Sequence, residues 1–322
     1  MLKGKPEVFP FREEHISAAA ELFAQKFTVL RQMTPILPER MSNREYVAKY
    51  LQGAIGPNTG IVAIEAGKLA GYLGWFYVER FRGTDRKAAY CPEWCHASRQ
   101  GAEPDLYRAL YRAASTQWSA AGCQVHALTI LANDHDALKS WFWNGFGLAV
   151  VDAVRAMDPL QVPPITGFEI HQATKEDIEN LCILETEHWR HYAEPPVLMA
   201  ANQASDEQEI RKLMNNSQNS FWLAMQGSTA IGYMRFEGSS FGAADIVNAE
   251  TTVANTGAYV RPRYRGRGVA LALLDAAIRH YASLDYERCS VDFESFNPEA
   301  VSFWMKYFEP ICYSLIRVPE RL

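Results

Sequence analysis

A proline-rich segment near the middle of the chain is its most constraining feature, because it divides the 322 residues into halves of nearly equal length. The segment runs from Met157 to Ile165 and holds three prolines within six residues, Pro159–Pro164. Such a composition cannot sustain a helix or a central strand, which indicates a linker. We therefore predict two domains, at residues 1–160 and 166–322, and the equal halves suggest an internal repeat.

The two halves share one predicted order of elements. Each begins with a short strand, two helices and a strand pair, and closes with strand, long helix, strand, short helix and strand. In the second half, Thr174 and Asp177 form the N-cap pattern of the first helix. The closing elements there are predicted at Thr256–Val260, Val269–Leu284, Arg288–Phe293, Pro298–Tyr307 and Ile311–Val318. The repeat predicts an α/β fold made twice, a mixed sheet with helices on both faces.

Composition narrows the class of partner. The formal net charge is −5, whereas binding to nucleic acid or to an anionic membrane normally requires excess positive charge. No apolar run is long enough to span a bilayer, and the N-terminus lacks a signal-peptide pattern. The six cysteines are too sparse for a disulfide scaffold. We expect a cytoplasmic protein with neither a nucleic-acid nor a membrane partner; its oligomeric state stays open.

The segment Arg261–Ala270 carries the clearest functional signal. It lies between a predicted strand and a strongly amphipathic helix, and it holds four arginines within seven residues. Gly266 and Gly268 allow close approach to a ligand, while the amides of a helix start favour an anion. No Gly-Lys-Ser/Thr follows, which excludes a P-loop, and the GxGxxG spacing of dinucleotide-binding folds is absent. The pattern predicts a binding site for a diphosphate.

Two spaced motifs resemble those of the GNAT acyltransferase superfamily. Arg263-x-x-Gly266-x-Gly268 is similar to its acyl-CoA signature, (Gln/Arg)-x-x-Gly-x-(Gly/Ala). Asn297-x-x-Ala300-x-x-Phe303-Trp304 is similar to its second motif, and it follows at the expected place. The second half is therefore identified as a member of this superfamily, and the chain as a tandem arrangement of two GNAT-like domains.

The resemblance implies a fold, a cofactor and a set of contacts. Each sheet should be partly splayed, with acetyl-CoA or another short acyl-CoA bound in the second domain. The strand Thr256–Val260 would diverge from Arg288–Phe293, and pantetheine would lie in the gap. The residues implied to bind the cofactor are Val260, Arg263, Arg265, Gly266, Arg267, Gly268, Val269, Ala270 and Asn297.

The first half resembles a degenerate copy of the same domain. The second motif recurs as Asp134-x-x-Ala137-x-x-Ser140-Trp141 and is followed by Gly-Phe. Its cofactor loop, residues 95–105, keeps only one glycine and one arginine, and Glu103 and Asp105 stand where phosphates would arrive. Like charges repel, so we interpret this domain as non-catalytic, either structural or a wall of the acceptor pocket.

The implied reaction is direct transfer of an acetyl group from acetyl-CoA to a primary amine of a small molecule or peptide, within a ternary complex. The reaction needs a neutral amine, stabilisation of the carbonyl oxygen and a proton for the leaving thiolate. Trp304 replaces the tyrosine that commonly supplies this proton in the family, so Tyr307 is the nearest candidate. Glu250 and Glu294 are candidate bases, although each also fits a solvated surface acid.

The end of the first helix in the second half is the predicted acceptor region. Its candidate residues, which are also compatible with ordinary packing, are Glu187, His188, His191 and Tyr192. A non-catalytic acyl-CoA-binding or regulatory protein is the alternative function, favoured by Trp304 and the degenerate first half. We expect no metal site, since Cys91, Cys95 and His96 lack a fourth ligand at suitable spacing.

Overall fold

The structure, a computed structural model, describes residues 6–164, 166–200, 206–238 and 244–320. The chain forms two compact units. Unit 1 comprises the chain up to Asp152, the short segment Ala244–Ile246 and the chain from Pro310 onward. Unit 2 comprises the remainder, from Ala153 to Glu309. The final strand, which the sequence pattern placed in the second domain, thus belongs to unit 1.

The elements are numbered along the chain. The strands are β1 (Glu7–Pro10), β2 (Gly60–Glu65), β3 (Lys68–Gly74), β4 (Phe76–Val78), β5 (Ala88–Cys91), β6 (His96–Ser98), β7 (Val125–Leu131), β8 (Gly147–Ala156), β9 (Glu169–Gln172), β10 (Ser220–Gln226), β11 (Thr229–Gly238), β12 (Thr252–Val260), β13 (Arg288–Glu294) and β14 (Glu309–Arg317). The helices are α1 (Ile16–Met33), α2 (Arg44–Ala54), α3 (Glu103–Ala120), α4 (His135–Trp143), α5 (Ile178–Ala193), α6 (Glu207–Met214), α7 (Val269–Ala282) and α8 (Pro298–Tyr307).

Unit 1 contains two runs of paired strands. The order β1-β2-β3-β6 is antiparallel throughout. In the second run, β4 pairs with β5, β5 runs parallel to β7, and β14 pairs antiparallel with β7 from Cys312 opposite Leu131 to Arg317 opposite His126. Strands β3 and β4 are separated by Trp75, whose ring is fully buried. The predicted loop 95–105 contains β6 as well.

Unit 2 places its strands in the order β9-β10-β11-β12-β13. The pairs from β9 to β12 are antiparallel, and β12 runs parallel to β13. Helix α5 begins after the capping box formed by Thr174 and Asp177, as the sequence indicated. Helix α7 buries Leu273, Leu274 and Ile278, each of which contributes about 1.5–3 kcal/mol by leaving water. This burial fixes the start of α7 at the sheet.

The buried face of α5 changes character along its length. Ile178, Leu181 and Leu184 pack into an apolar cluster with strands β10 and β11. The same face then presents Glu185 and His188, which are equally buried. Since charged residues are rarely buried without partners, this change marks the end of α5 as a polar site inside the domain.

Candidate functional site

A cavity of about 610 Å³ lies in unit 2. It is lined by the last two turns of α5, the second half of β12, the end of β13, the start of α7 and one face of α8. The two motifs that the sequence analysis singled out, at residues 263–270 and 297–304, therefore meet on one cavity. Concave sites with a few convergent polar groups are the usual ligand sites.

Strands β12 and β13 diverge at the centre of the cavity. They pair in parallel from Thr252 opposite Arg288 to Asn255 opposite Val291, and the pairing ends there. The register of β12 against β11 shifts at the same point, so that Thr256 is the extra residue of a β-bulge. A bulge bends its strand, which accounts for the divergence. The splay that the resemblance implied for this pair is thus present.

Arg235 holds the bulge in place. Its Nη2 donates to the carbonyl oxygen of Thr256 at 2.8 Å, and its Nε donates to Thr256 Oγ1, also at 2.8 Å. The guanidinium lies 3.3 Å from the carboxylate of Glu185, which is buried. A buried ion pair with additional hydrogen bonds has a fixed geometry. The gap between β12 and β13 is therefore fixed by side chains from β11 and α5.

The divergence leaves strand β12 with backbone groups that face the gap. Arg261 donates its N–H to the Ile231 carbonyl at 3.0 Å, and hydrogen-bonded pairs alternate along an antiparallel ladder. Ala258 and Val260 consequently direct their N–H and C=O groups away from β11. The Val260 carbonyl accepts from Arg265 Nε at 2.9 Å. The remaining groups can bind an extended amide-containing chain.

The start of α7 forms a nest of backbone amides. Gly266 and Gly268 have φ of 72° and 82°, left-handed conformations that favour glycine, and Gly268 is the N-cap. The first helical amide with a partner is that of Ala272, which bonds to the Gly268 carbonyl. Within the described ranges, the N–H groups of residues 266–271 have no acceptor. A nest of this kind binds anions.

The four arginines of this loop fall into two classes. Arg261 forms a bidentate pair with Glu187 at 2.8 and 2.9 Å, and Arg265 contacts Glu299 at 3.0 Å. Arg263 and Arg267 both lie over the Tyr264 ring, 5.1 and 5.9 Å from its centroid. In the described part of the chain neither contacts a carboxylate. These two exposed arginines, which do not line the cavity itself, supply the uncompensated positive charge beside the nest.

Helix α8 forms the opposite wall. Asn297 is its N-cap and accepts from the Ala300 amide at 3.3 Å, so its side-chain NH₂ stays available to a ligand. Trp304, Phe303 and Tyr307 follow on the cavity side, with the Phe303 and Tyr307 rings 5.2 Å apart. Trp304 is buried, whereas Tyr307 is half-buried.

The two predicted catalytic acids differ in their position relative to the cavity. Glu294, at the end of β13, lines the cavity, whereas Glu250 is exposed before the start of β12 and does not. Among the predicted acceptor residues, His188, His191 and Tyr192 line the cavity, but Glu187 is turned to its pair with Arg261. Burial, Glu294 and Asp292 raise the pKa of Tyr192. This end of the cavity therefore carries negative charge beside aromatic rings.

Sequence reasoning missed a polar chain behind His188. The His188 Nδ1 lies 2.9 Å from the Tyr233 hydroxyl, and that hydroxyl donates to Glu185 Oε1 at 2.7 Å. Burial, together with the positive charges of His191, Arg235 and Arg265, lowers the pKa of His188 to about 3, so the ring is neutral. Polar residues at core positions of α5 and β11 were the available signal.

Unit 1 shows the same divergence with its gap filled. Strands β5 and β7 pair in parallel only to Cys91 opposite Leu128, after which the chain turns away into β6. His96 on β6 donates from Nε2 to the Thr129 carbonyl at 2.7 Å and accepts from Tyr107 at 3.2 Å. Burial lowers its pKa to about 4. The Trp141 ring packs against Tyr107, so side chains occupy the space between the strands.

The start of α3 likewise differs from the start of α7. Glu103 at its first turn is fully buried and lies 3.5 Å from the Lys26 ammonium, which also contacts Asp134 at 2.6 Å. A carboxylate thus occupies the place where the nest of α7 stands open. Cys91 and Cys95 are buried free thiols, and no cluster of three or more metal-ligand side chains occurs within the described ranges.

Comparison with known proteins agrees with this geometry. The sequence pattern of the Acetyltransferase (GNAT) family matches residues 181–308, which span the cavity. The second half of the chain therefore carries a domain of the GNAT family. No curated protein sequence matches it. Among the part of the chain that the structure describes, no helix combines the length and apolar composition that crossing a membrane requires.

Solved structures extend the likeness to the whole chain. A GCN5-related N-acetyltransferase from Sphaerobacter thermophilus matches with a TM-score of 0.59 and 13% identity, over 100% of this chain and 98% of its own. A tandem GNAT protein from the clavulanic acid biosynthesis pathway matches with a TM-score of 0.51 and 14% identity, over 97% and 98%. At such identities the matches show the fold alone. The tandem GNAT fold expected from the sequence is thereby confirmed.

Proposed function

We propose that this protein is an acyl-CoA-dependent N-acyltransferase that transfers acetyl, or another short acyl group, to a primary amine of a small molecule or peptide. One observation carries the proposal: the open amide nest at residues 266–271 leads directly into the gap between β12 and β13. Anion binding and extended-chain binding are thus contiguous in one cavity, which is the combination that a phosphorylated pantetheine requires.

The residues of the cavity fit such a co-substrate. The nest and the flanking Arg263 and Arg267 would hold its phosphates, and Ala258 and Val260 would pair with its amides. Asn297 would contact it from α8. When bound, acyl-CoA supplies a thioester carbonyl that an amine can attack directly, without a covalent enzyme intermediate.

The chain's own groups divide the remaining tasks. Glu294 lies on the negative side of the cavity and would attract the cationic amine before it loses its proton. Tyr307 would donate its phenolic proton to the departing thiolate from the α8 wall, and the proton that the amine nitrogen loses on acylation would restore the phenol through solvent. Glu250 does not line this cavity, so we assign it no role in the chemistry.

We also propose that unit 1 does not bind a cofactor. His96, Tyr107 and Trp141 fill its gap between strands, and Glu103 places a buried carboxylate at the helix start. A diphosphate would meet like charge there rather than open amides. Its role in this proposal is structural.

Two measurements test the proposal together. Acetyl-CoA should raise the melting temperature of the protein, and thiol release should depend on an added primary amine. A melting shift without amine-dependent thiol release would instead favour a non-catalytic acyl-CoA-binding protein, which the buried Trp304 at the usual tyrosine position would then explain. No shift at saturating acetyl-CoA would contradict both functions.

A further inference from the structure

The polar chain Glu185–Tyr233–His188 is built into the wall of the cavity. All three side chains are buried: Glu185 is 2% exposed, Tyr233 0% and His188 6%. They come from α5 and β11, and the two hydrogen bonds that join them are 2.7 and 2.9 Å long. Burying three polar side chains is unfavourable unless each of them is paired. Each shared proton must therefore lie between a group that can donate it and a group that can accept it.

The protons can be assigned from the donors and acceptors alone. Arg235 lies 3.3 Å from the Glu185 oxygen that Tyr233 contacts, which favours an ionised carboxylate. An ionised carboxylate only accepts, so the single hydroxyl proton of Tyr233 must be donated to it. The Tyr233 oxygen can then only accept from His188, whose Nδ1 therefore carries the ring proton. The Nε2 atom of His188 is left with a lone pair.

That lone pair is available to a ligand. Within residues 6–164, 166–200, 206–238 and 244–320, no group hydrogen-bonds His188 Nε2, and the nitrogen is not a fully buried atom. The ring lines the cavity and stacks on Tyr259 of β12 at 5.6 Å, with Tyr192 at 4.4 Å on α5. Tyr259 follows Ala258, whose backbone groups face the gap. The ring that carries the Nε2 acceptor thus packs on the residue next to Ala258 and lines the same cavity.

The surroundings keep the ring in this state. Positive charge comes from Arg235 on β11, Arg265 in the loop before α7, and His191 on α5 when it is protonated. On the negative side, Glu185 is joined to His188 only through Tyr233, and Glu294 and Asp292 act on Tyr192. The protonated, cationic form of His188 is therefore disfavoured at neutral pH.

We propose that His188 orients the acceptor: its Nε2 accepts a hydrogen bond from an N–H of the neutral amine, while Tyr233 and Glu185 are positioning residues that fix the tautomer. This inference rests on the proposed N-acyltransferase function. The class of acceptor that fits is an amine that keeps an N–H to donate while its own lone pair points at the acyl carbon. A tertiary amine has no such proton and is excluded.

The first test is spectroscopic and does not depend on turnover. Imidazole nitrogen shifts of the ¹⁵N-labelled protein at pH 7 should show His188 protonated at Nδ1. Tyr233→Phe removes the acceptor of that proton, and the Nε2–H form should then become populated. Wild-type protein with the proton on Nε2 would overturn the inference, as would a tautomer unaffected by Tyr233→Phe.

The second test separates acceptor binding from cofactor binding. His188→Gln should lower kcat/KM for the amine about 10- to 100-fold, because the glutamine amide can turn either its oxygen or its NH₂ to the amine and no longer presents a fixed acceptor. Its affinity for acetyl-CoA should change by less than about threefold. His280→Gln, on the far end of α7 outside the cavity, is the matched control and should leave both values unchanged.

The outcomes distinguish this inference from the function on which it rests. With n-butylamine, benzylamine and glycylglycine as acceptors, a wild-type protein that releases no thiol counts against the proposed function. The nitrogen shifts then still test the polar chain Glu185–Tyr233–His188. A wild-type protein that turns over while His188→Gln matches His280→Gln overturns the inference. So does a His188→Gln protein that loses acetyl-CoA binding and turnover equally, because that result shows a structural role.

Discussion

Replacing Gly266 by glutamate should abolish acyl-CoA binding through charge. The Cβ of a residue at 266 would meet no atom within 4 Å, so the new side chain would start in open space. Its carboxylate would enter the amide nest. At about 5 Å and an effective dielectric constant of about 20, it would repel each unit of phosphate charge by roughly 3 kcal/mol. A diphosphate would lose on the order of 3–6 kcal/mol, or about 10²- to 10⁴-fold in affinity.

Two controls separate this charge effect from backbone strain. Gly266 has φ of 72°, where any other residue costs about 1–2 kcal/mol of stability. Gly266→Ala carries that strain without the charge, and Gly227→Glu adds a charge at φ of 58° outside the cavity. Titration calorimetry with acetyl-CoA should show near wild-type affinity for both controls. A Gly266→Glu protein that binds within threefold of Gly266→Ala would refute the diphosphate assignment.

Three further predictions test other parts of the account. Burial and Asp245 raise the pKa of Glu93 to about 7, so the folded protein loses stability as the pH rises from about 4.5 through 7. In urea unfolding, Glu93→Gln should therefore be about 3 kcal/mol more stable than wild type at pH 8. At pH 4.5 the two proteins should differ little. Trp141→Ala should cost about 3–5 kcal/mol, whereas Trp143→Ala, 74% exposed, should stay within about 0.5 kcal/mol in the same assay. Tyr307→Phe should lower kcat about 10²-fold at unchanged acetyl-CoA affinity, measured by thiol release and calorimetry.

Each of these has a contrary outcome. A Glu93→Gln effect that is equal at both pH values would show that Glu93 does not titrate differently on folding. Equal losses for the two tryptophans would contradict the filled gap of unit 1. An unchanged kcat for Tyr307→Phe would place the proton donor elsewhere, for example in water.

The elements that depend on a local sequence pattern could be predicted from the sequence. Helices α5 and α7 follow from their apolar spacing and, for α5, from the Thr174 cap, and the nest follows from two glycines placed between a strand and a helix. These signals are local because capping and left-handed turns depend on neighbouring residues. The tandem GNAT fold was predicted from the internal repeat and from the two motifs that resemble those of the superfamily.

Other features depend on contacts between distant residues and left little local signal. The pairing of β14 with β7 joins residues that are 180 or more apart in sequence, so periodicity could not show it. The polar chain Glu185–Tyr233–His188 joins α5 to β11 in the same way. The polar residues at core positions were its one signal in the sequence. Glu187 and Glu250 are acidic residues of the type that a site needs, and the sequence therefore predicted them as site residues. The side chain of Glu187 is instead directed by its pair with Arg261, and the place of Glu250 by the start of β12.

The central claim is that the nest at residues 266–271 binds the diphosphate of an acyl-CoA. A crystal structure of the protein with acetyl-CoA tests it most directly. We expect diphosphate oxygens within hydrogen-bond distance of several of these amides, about 2.7–3.2 Å, with the acyl group beside Ala258. A diphosphate bound elsewhere, with these amides still facing solvent, would contradict the account.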